Sequence, residues 1–310
     1  MIVSESSLVA LLLTNRLVDV AVKPLSAGEY WALVAKVTDL DVLLGADEQV
    51  VTELLGGDAV EARRITTLLD ATTAFAYQRE RLEEEGVRLL STFDPGFPPR
   101  LLHRLGTACP AFLTVAGPVE WLSDGGLGVV GSRDASPAAL EVARSAAHVG
   151  VEAAVPVVSG LARGIDQQAM ASALDGGGAV IGVPAEGLKV AARSPEVRRR
   201  VHNGELCITS PYAPGMRFTA GNAMGRNKIV YGLAGVTLVV CSDHGSGGTW
   251  EGAKESLRRS FGSVAVWSGD GEGPGNAALV KLGGSSITDT NEVFEVAERP
   301  TESAAQRSLF

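Results

Sequence analysis

The sequence predicts an α/β fold: a doubly wound parallel sheet preceded by a small helical N-terminal domain. Three observations carry this. From Leu127 onward, short apolar runs alternate with helical stretches, the order that builds parallel strands joined by crossover helices. The hydrophobic period changes at Val87, from helical spacing to strand-like runs. Several apolar runs break directly into Gly, Ser and Arg before the next helix, and open α/β sheets bind ligands outside the carboxyl ends of their strands.

Residues 1–86 read as helical. Ser26-Ala27-Gly28-Glu29 has the spacing of a capping box, and an apolar run follows from Trp31. Glu61 to Glu85 reads as one long amphipathic helix, with the charged run Arg79 to Glu85 as a solvated face and Gly86 as its C′ residue. Short helices joined by Gly-containing turns fit a SAM-like or helix-hairpin-helix module. Residues 87–298 form the sheet domain. Val87–Thr92 and Ala111–Gly117 are expected strands, separated by the turn Asp94-Pro95-Gly96-Phe97-Pro98-Pro99. Six more follow at Leu127–Val130, Val155–Ser159, Ala179–Val183, Leu206–Thr209, Val236–Cys241 and Val264–Trp267. Ser136-Pro137 supplies an N-cap with Pro at the first helical position. The polar stretch 299–310 is expected to be a flexible tail.

Composition narrows the function classes. With 45% hydrophobic residues in 310, the chain can build a sizeable core, which excludes a disordered protein. A formal net charge of −9 excludes a generally basic surface but not a local basic groove. Cys109, Cys207 and Cys241 form no CxxC pair, so neither a disulfide framework nor a zinc knuckle is expected. Met1 to Ala10 carries no Lys or Arg, and the run Leu8–Leu13 is short and soon interrupted by charge. No signal peptide and no membrane span are therefore expected, and the reading is cytoplasmic.

Four loops carry the chemistry. Gly131-Ser132-Arg133 follows an apolar strand: Gly allows close backbone approach, Ser adds a hydroxyl donor and Arg a bidentate fork. Ser159-Gly160-Leu161-Ala162-Arg163-Gly164-Ile165-Asp166 opens a helix and is neither a Walker A loop nor GxGxxG. Asp166 is expected to cap that helix. Arg163 is either a phosphate ligand or a partner for a carboxylate that braces the loops. Met224 to Ala234 is expected to open a further helix with Arg226-Asn227-Lys228 at its start, a place for anion contacts. Gly247-Gly248-Thr249 brings amides to another strand end, with Thr249 able to cap the next helix. The expected phosphate-binding set is Gly131, Ser132, Arg133, Ser159, Gly160, Arg163, Gly164, Arg226, Asn227, Lys228, Gly247, Gly248 and Thr249. No metal and no cofactor is expected. His103, His148, His202 and His244 are isolated, and only His244, beside a Gly-rich loop, merits testing.

From about Thr92 to about Val293 the chain resembles the DNA-processing protein A (DprA/Smf) family. The resemblance runs through Thr92-Phe93-Asp94-Pro95-Gly96-Phe97-Pro98-Pro99-Arg100-Leu101, GVVGSR, VVSGLARGID, Glu186-Gly187-Leu188, Arg226-Asn227-Lys228 and GSGGTWEGA. It implies an extended Rossmann-like domain that binds single-stranded DNA, with Arg133 gripping the backbone and Arg163, Arg226 and Asn227 shaping the same pocket. It also implies a non-enzymatic protein that helps load RecA recombinase during natural transformation and forms a homodimer.

The chain departs from that pattern in places. Ala169-Met170 stands where the family has Ala-His, and the Tyr-Pro pair with its Lys after Gly187-Leu188 is replaced by Lys189-Val190-Ala191-Ala192-Arg193. Arg198-Arg199-Arg200 either supplies the lost Lys contact or is a solvated helix face. The loop between Phe218 and Arg226 is long, and Cys241-Ser242 replaces an acidic residue. The C-terminal winged helix of some members is not expected, so the chain reads as a side branch. Two other readings use the same loops. One is a nucleotide-binding sensor, for example in phage defence. The other is a nucleoside-monophosphate hydrolase with Glu251 acting after Gly248-Thr249, although the spacing is one residue short for that group.

Overall fold

A computed structural model describes residues 4–298, so the tail expected at 299–310 lies outside the described residues. The chain opens with helices α1 (Glu5–Thr14), α2 (Ala27–Lys36), α3 (Glu48–Leu54), α4 (Ala59–Leu69) and α5 (Thr72–Glu84). The first four start at side-chain caps: Ser4, Ser26, Asp47 and Asp58 each accept from the N–H three residues on. The capping box at Ser26 is complete, with Glu29 returning a bond to the Ser26 N–H at 2.7 Å. The expected single helix over Glu61–Glu85 is two helices. Thr72 Oγ1 donates back to the Leu69 carbonyl at 2.7 Å, a local bond that competes with the helical ladder at the break. Gly86 follows α5 at φ +77° and closes it, as its position predicts.

The chain continues with β1 (Arg88–Ser91), α6 (Pro99–Leu105), β2 (Phe112–Ala116), α7 (Trp121–Asp124), β3 (Leu127–Val130), α8 (Pro137–Glu152), β4 (Val157–Ser159), α9 (Ile165–Asp175) and β5 (Val180–Gly182). Then come α10 (Leu188–Ala191), α11 (Pro195–His202), β6 (Leu206–Ser210), α12 (Ala220–Leu233), β7 (Val236–Val239), α13 (Gly247–Arg259), β8 (Ser263–Trp267), α14 (Asn276–Lys281), β9 (Ser285–Ile287) and α15 (Val293–Glu298). All nine strands form one sheet in the order β1-β2-β6-β5-β4-β3-β7-β8-β9. Pairings from β6 to β9 are parallel, while β1–β2 and β2–β6 are antiparallel. The expected parallel sheet therefore carries an antiparallel edge, a common addition to doubly wound folds.

Strands β1, β2 and β5 lose one residue at each end of their expected runs, and β4 and β7 each lose two at one end. Val155 and Pro156 precede the β4 ladder, and β7 stops at Val239. Beyond that point the Cys241 carbonyl accepts from the Ser132 N–H at 3.0 Å, so the backbone leaves the ladder to hold a loop. Strand β9 was not expected, because Ser285-Ser286-Ile287 has too little apolar pattern to read as a strand.

Side-chain alternation sorts the core into two layers. Leu127 and Val129 of β3 pack with α8 and α9 residues such as Val142 and Ala169, in one cluster with Leu11, Tyr30 and Ile65 of the first helices. Val130 packs on the other face with Val158, Ile181, Val239 and residues of α6, α12 and α13. The chain winds from β3 outward through β4, β5 and β6, then returns to β7 on the opposite side of β3. The reversal places a crevice at the carboxyl ends of β3 and β7. No described helix is long and apolar enough to cross a membrane.

Candidate functional site

That crevice holds a cavity of about 460 Å³, and a second of about 220 Å³ adjoins it. Arg133, Ala162, Phe218 and Arg226 line both and so form their common wall. The larger chamber is bounded by the loop after β3, the start of α13 and one side of α12 from Ala220 to Tyr231. The smaller lies toward Gly160, Arg163 and Glu186.

Two glycines make the wall possible. Gly164 precedes α9 at φ +79°, and a Cβ there would lie 2.3 Å from the Ser132 carbonyl oxygen. The β4–α9 turn can thus press against the loop that carries Arg133. At Gly160 a Cβ would fall 1.5 Å from Arg226 Nη1. The absent side chain is the space the guanidinium occupies.

Arg226 is 5% exposed. Its nearest carboxylate is Asp166, with Nη1 4.0 Å from Oδ2. Among the described residues its side chain donates no hydrogen bond, and Nε is buried without a partner. Burial pushes its pKa down, against the pull of Asp166, Tyr212 and Glu186. Asp166 is equally buried, and desolvation raises its carboxyl above the usual range, opposed by Arg226 and by the N–H groups of Gly160, Ala162 and Gly131. A buried charge with unused donors carries a large desolvation cost, which an arriving anion would offset. Above it, Arg133 is exposed, and its guanidinium carbon lies 5.8 Å from the centre of the Phe218 ring.

Most expected residues converge here. Gly131, Ser132, Arg133, Arg226, Asn227, Gly247, Gly248 and Thr249 line the larger chamber, and Gly160 and Arg163 line the smaller. Asn227 Nδ2 donates to the Gly248 carbonyl at 2.9 Å and ties α12 to the glycine loop. Three expected residues line neither chamber. Ser159 is fully buried, and its Oγ donates to the Val129 carbonyl, tying β4 to β3. Gly164 shapes the turn. Lys228 points elsewhere on α12, where burial lowers its pKa and Glu255 opposes the shift.

Other local expectations change. Asp166 is not the cap of α9: Gly164 holds the N-cap position, and the Asp166 carboxylate turns back to accept from the Gly160 N–H at 3.0 Å. Thr249 lies inside the first turn of α13, whose N-cap is Ser246. Arg226, not Arg163, faces the bracing carboxylate. Arg199 and Arg200 pair with Glu196 on α11, and Arg200 also with Glu205, as a solvated face does. His244 packs against Trp250 with ring centres 5.1 Å apart. Phe218, 50% exposed, and Tyr231, whose buried hydroxyl has no partner, also line the larger chamber. The sequence marks Phe218 only as an aromatic in the polar stretch Arg217-Phe218-Thr219, and Tyr231 reads as ordinary helix core.

Fold and site together define a Rossmann-like α/β protein with a strand-end groove whose wall carries Arg133 and Arg226. The chain belongs to the family described as DNA recombination-mediator protein A, whose sequence model matches residues 88–298. It is 32% identical over 195 residues to the DNA processing protein DprA of Streptococcus pneumoniae R6, covering 60% of this chain and 66% of that one. It is 31% identical over 219 residues to Protein Smf of Escherichia coli K12, covering 69% and 58%. Against Protein Smf of Synechocystis the alignment takes in 41% of the relative, so the chain spans less than two thirds of the curated relatives it matches. Among solved structures, DNA processing protein A from Streptococcus pneumoniae superposes with a TM-score of 0.65 at 24% identity, over 90% of this chain and 99% of that one. The Helicobacter pylori protein, described for its single-stranded DNA binding mode, gives 0.53 at 19% identity, over 67% and 94%. Both likenesses bear on the fold.

Proposed function

We propose that the protein binds single-stranded DNA through its phosphate backbone in the groove between β3, β7 and α12. Its role would be DNA processing during uptake and natural transformation, in the cytoplasm. The observation that carries this reading is Arg226: a buried guanidinium with unused donors, beside the exposed Arg133 and open to both chambers. Charged and amide donors at one groove give sequence-independent, salt-sensitive binding. Family membership and the printed description of the Helicobacter pylori relative support DNA as the ligand. The family's description as a recombination mediator supports handover of the bound strand to RecA recombinase. A homodimer is the expected assembly, and sedimentation velocity tests it.

The hydrolase reading is less favoured, because Glu251 does not line the chamber and lies 3.8 Å from Lys254 on α13. The test is fluorescence anisotropy with labelled oligo-dT, single- and double-stranded, at low salt. The native chain should prefer the single strand, and Arg133→Ala should weaken binding by roughly tenfold, the loss of one charge-assisted contact. Absence of binding at low salt would overturn the proposal.

A further inference from the structure

The paired chambers give the groove a unit size, and the argument here rests on the single-stranded DNA reading above. We propose that the groove seats one dinucleotide step. The phosphate between two nucleotides lies on the wall formed by Arg133 and Arg226, the two flanking bases enter the chambers on either side, and Phe218 offers its free face for one of them to stack on.

Charge placement argues for this orientation. The two chambers share both arginines of the wall. Beyond the wall, the larger chamber holds Asp134 and Asp243 and the smaller holds Glu186. Carboxylates repel a phosphate but accept from base N–H groups. A strand therefore gains most with its phosphate on the wall and its bases turned outward. The next phosphates have donors at each end: the first amides of α13 at Gly247 and Gly248 on one side, and the exposed Arg163 on the other.

Size and stacking agree. The smaller chamber, about 220 Å³, holds roughly seven waters' worth of liquid, and a pyrimidine has about as many heavy atoms. Phe218 is half exposed, lines both chambers and lies under the Arg133 guanidinium. A ring in that position offers a stacking face to whichever base is next to the gripped phosphate.

The test compares oligonucleotides of about 12 nucleotides, within the span of a single-strand site. One is all thymidine, one is a fully abasic phosphodiester, and two carry one or two adjacent thymidines in an abasic backbone. Binding of the full chain is read by competition anisotropy. The all-thymidine strand should bind roughly tenfold or more tighter than the abasic one, from base stacking. Two adjacent thymidines should recover most of that gain and exceed one. In Phe218→Ala the ratio of thymidine to abasic affinity should fall toward one, and circular dichroism should confirm that this surface variant is folded. Equal affinity for abasic and thymidine strands would overturn the dinucleotide proposal and leave the phosphate grip standing. So would a single thymidine matching two, or an unchanged ratio in Phe218→Ala. If no strand binds at low salt, the DNA reading itself falls and the dinucleotide proposal with it.

Discussion

At residue scale, the site depends on where two glycines let neighbouring groups go, and the two should fail differently. Gly160 faces a guanidinium, the far end of a flexible side chain, with a Cβ-to-Nη1 distance of 1.5 Å. Gly160→Ala should leave the fold intact, cost less than about 1 kcal/mol, and push Arg226 out of place, lowering DNA affinity by roughly tenfold. Gly164 faces backbone: a Cβ would lie 2.3 Å from Ser132 O and 2.7 Å from Arg133 O, at φ +79°. Gly164→Ala should cost about 2–4 kcal/mol, since the φ strain and the backbone clash add. Urea unfolding alongside anisotropy separates the two, and comparable stability losses would refute the distinction. The same residues mark how far the sequence could be read. That an arginine serves the VVSGLARGID loop is legible, but which arginine turns inward is not. Arg163 is adjacent in sequence yet exposed, whereas Arg226 arrives from α12, some sixty residues later, because Gly160 leaves room for it.

At element scale, the apolar strands and their crossover helices were legible because each strand of the central sheet is buried on both faces and reads as a continuous apolar run. Strand β9 and the α4–α5 break were not. The first is short and half polar, and the second turns on one hydroxyl–carbonyl bond inside an unbroken helical pattern. Among the first helices, Glu29 is a point of connection. It closes the capping box of α2 and accepts from Arg64 Nη1 of α4 at 2.8 Å. The Arg64 guanidinium, then the Ser26 hydroxyl and N–H, hold its carboxyl down to about 2, from an ordinary 4.5. A depressed folded pKa means the unfolded chain takes up the proton first as pH falls. The contribution is therefore fully present above about 4.5 and is lost as pH drops toward 2. Because the Glu29 side chain is 46% exposed, Glu29→Gln should cost no more than about 1 kcal/mol at pH 7. Urea unfolding at pH 7, 5, 3.5 and 2.5 should show that difference constant down to pH 5 and shrinking below it. A difference that grows with acidity would contradict the assignment.

At the scale of the whole molecule, a net charge of −9 sets the background field against a polyanion. On the proposed reading attraction comes from the groove, where α13's first amides, the Arg133–Arg226 wall and Arg163 would offer three anion positions on one sheet edge. The topology explains their convergence: loops after β3 and β7 flank the reversal of strand order, the loop after β4 joins them, and α12 passes over the gap. Distant acidic residues act through solvent and are screened within roughly 10 Å at 0.1 M salt, while contacts inside the groove are screened less. Counting about three phosphates neutralised gives a slope near −2 for log affinity against log salt on single strands. Affinity should thus fall roughly twentyfold between 50 and 200 mM salt, far less than for a protein with a broad basic face. Arg133→Ala should flatten the slope by about 0.7, one phosphate contact, while Arg199→Ala, whose charge is spent on Glu196, should leave it unchanged. A slope steeper than about −4 would mean many more phosphates than this groove can hold, and the binding surface would then have to extend over parts of the molecule where the acidic charge now predominates.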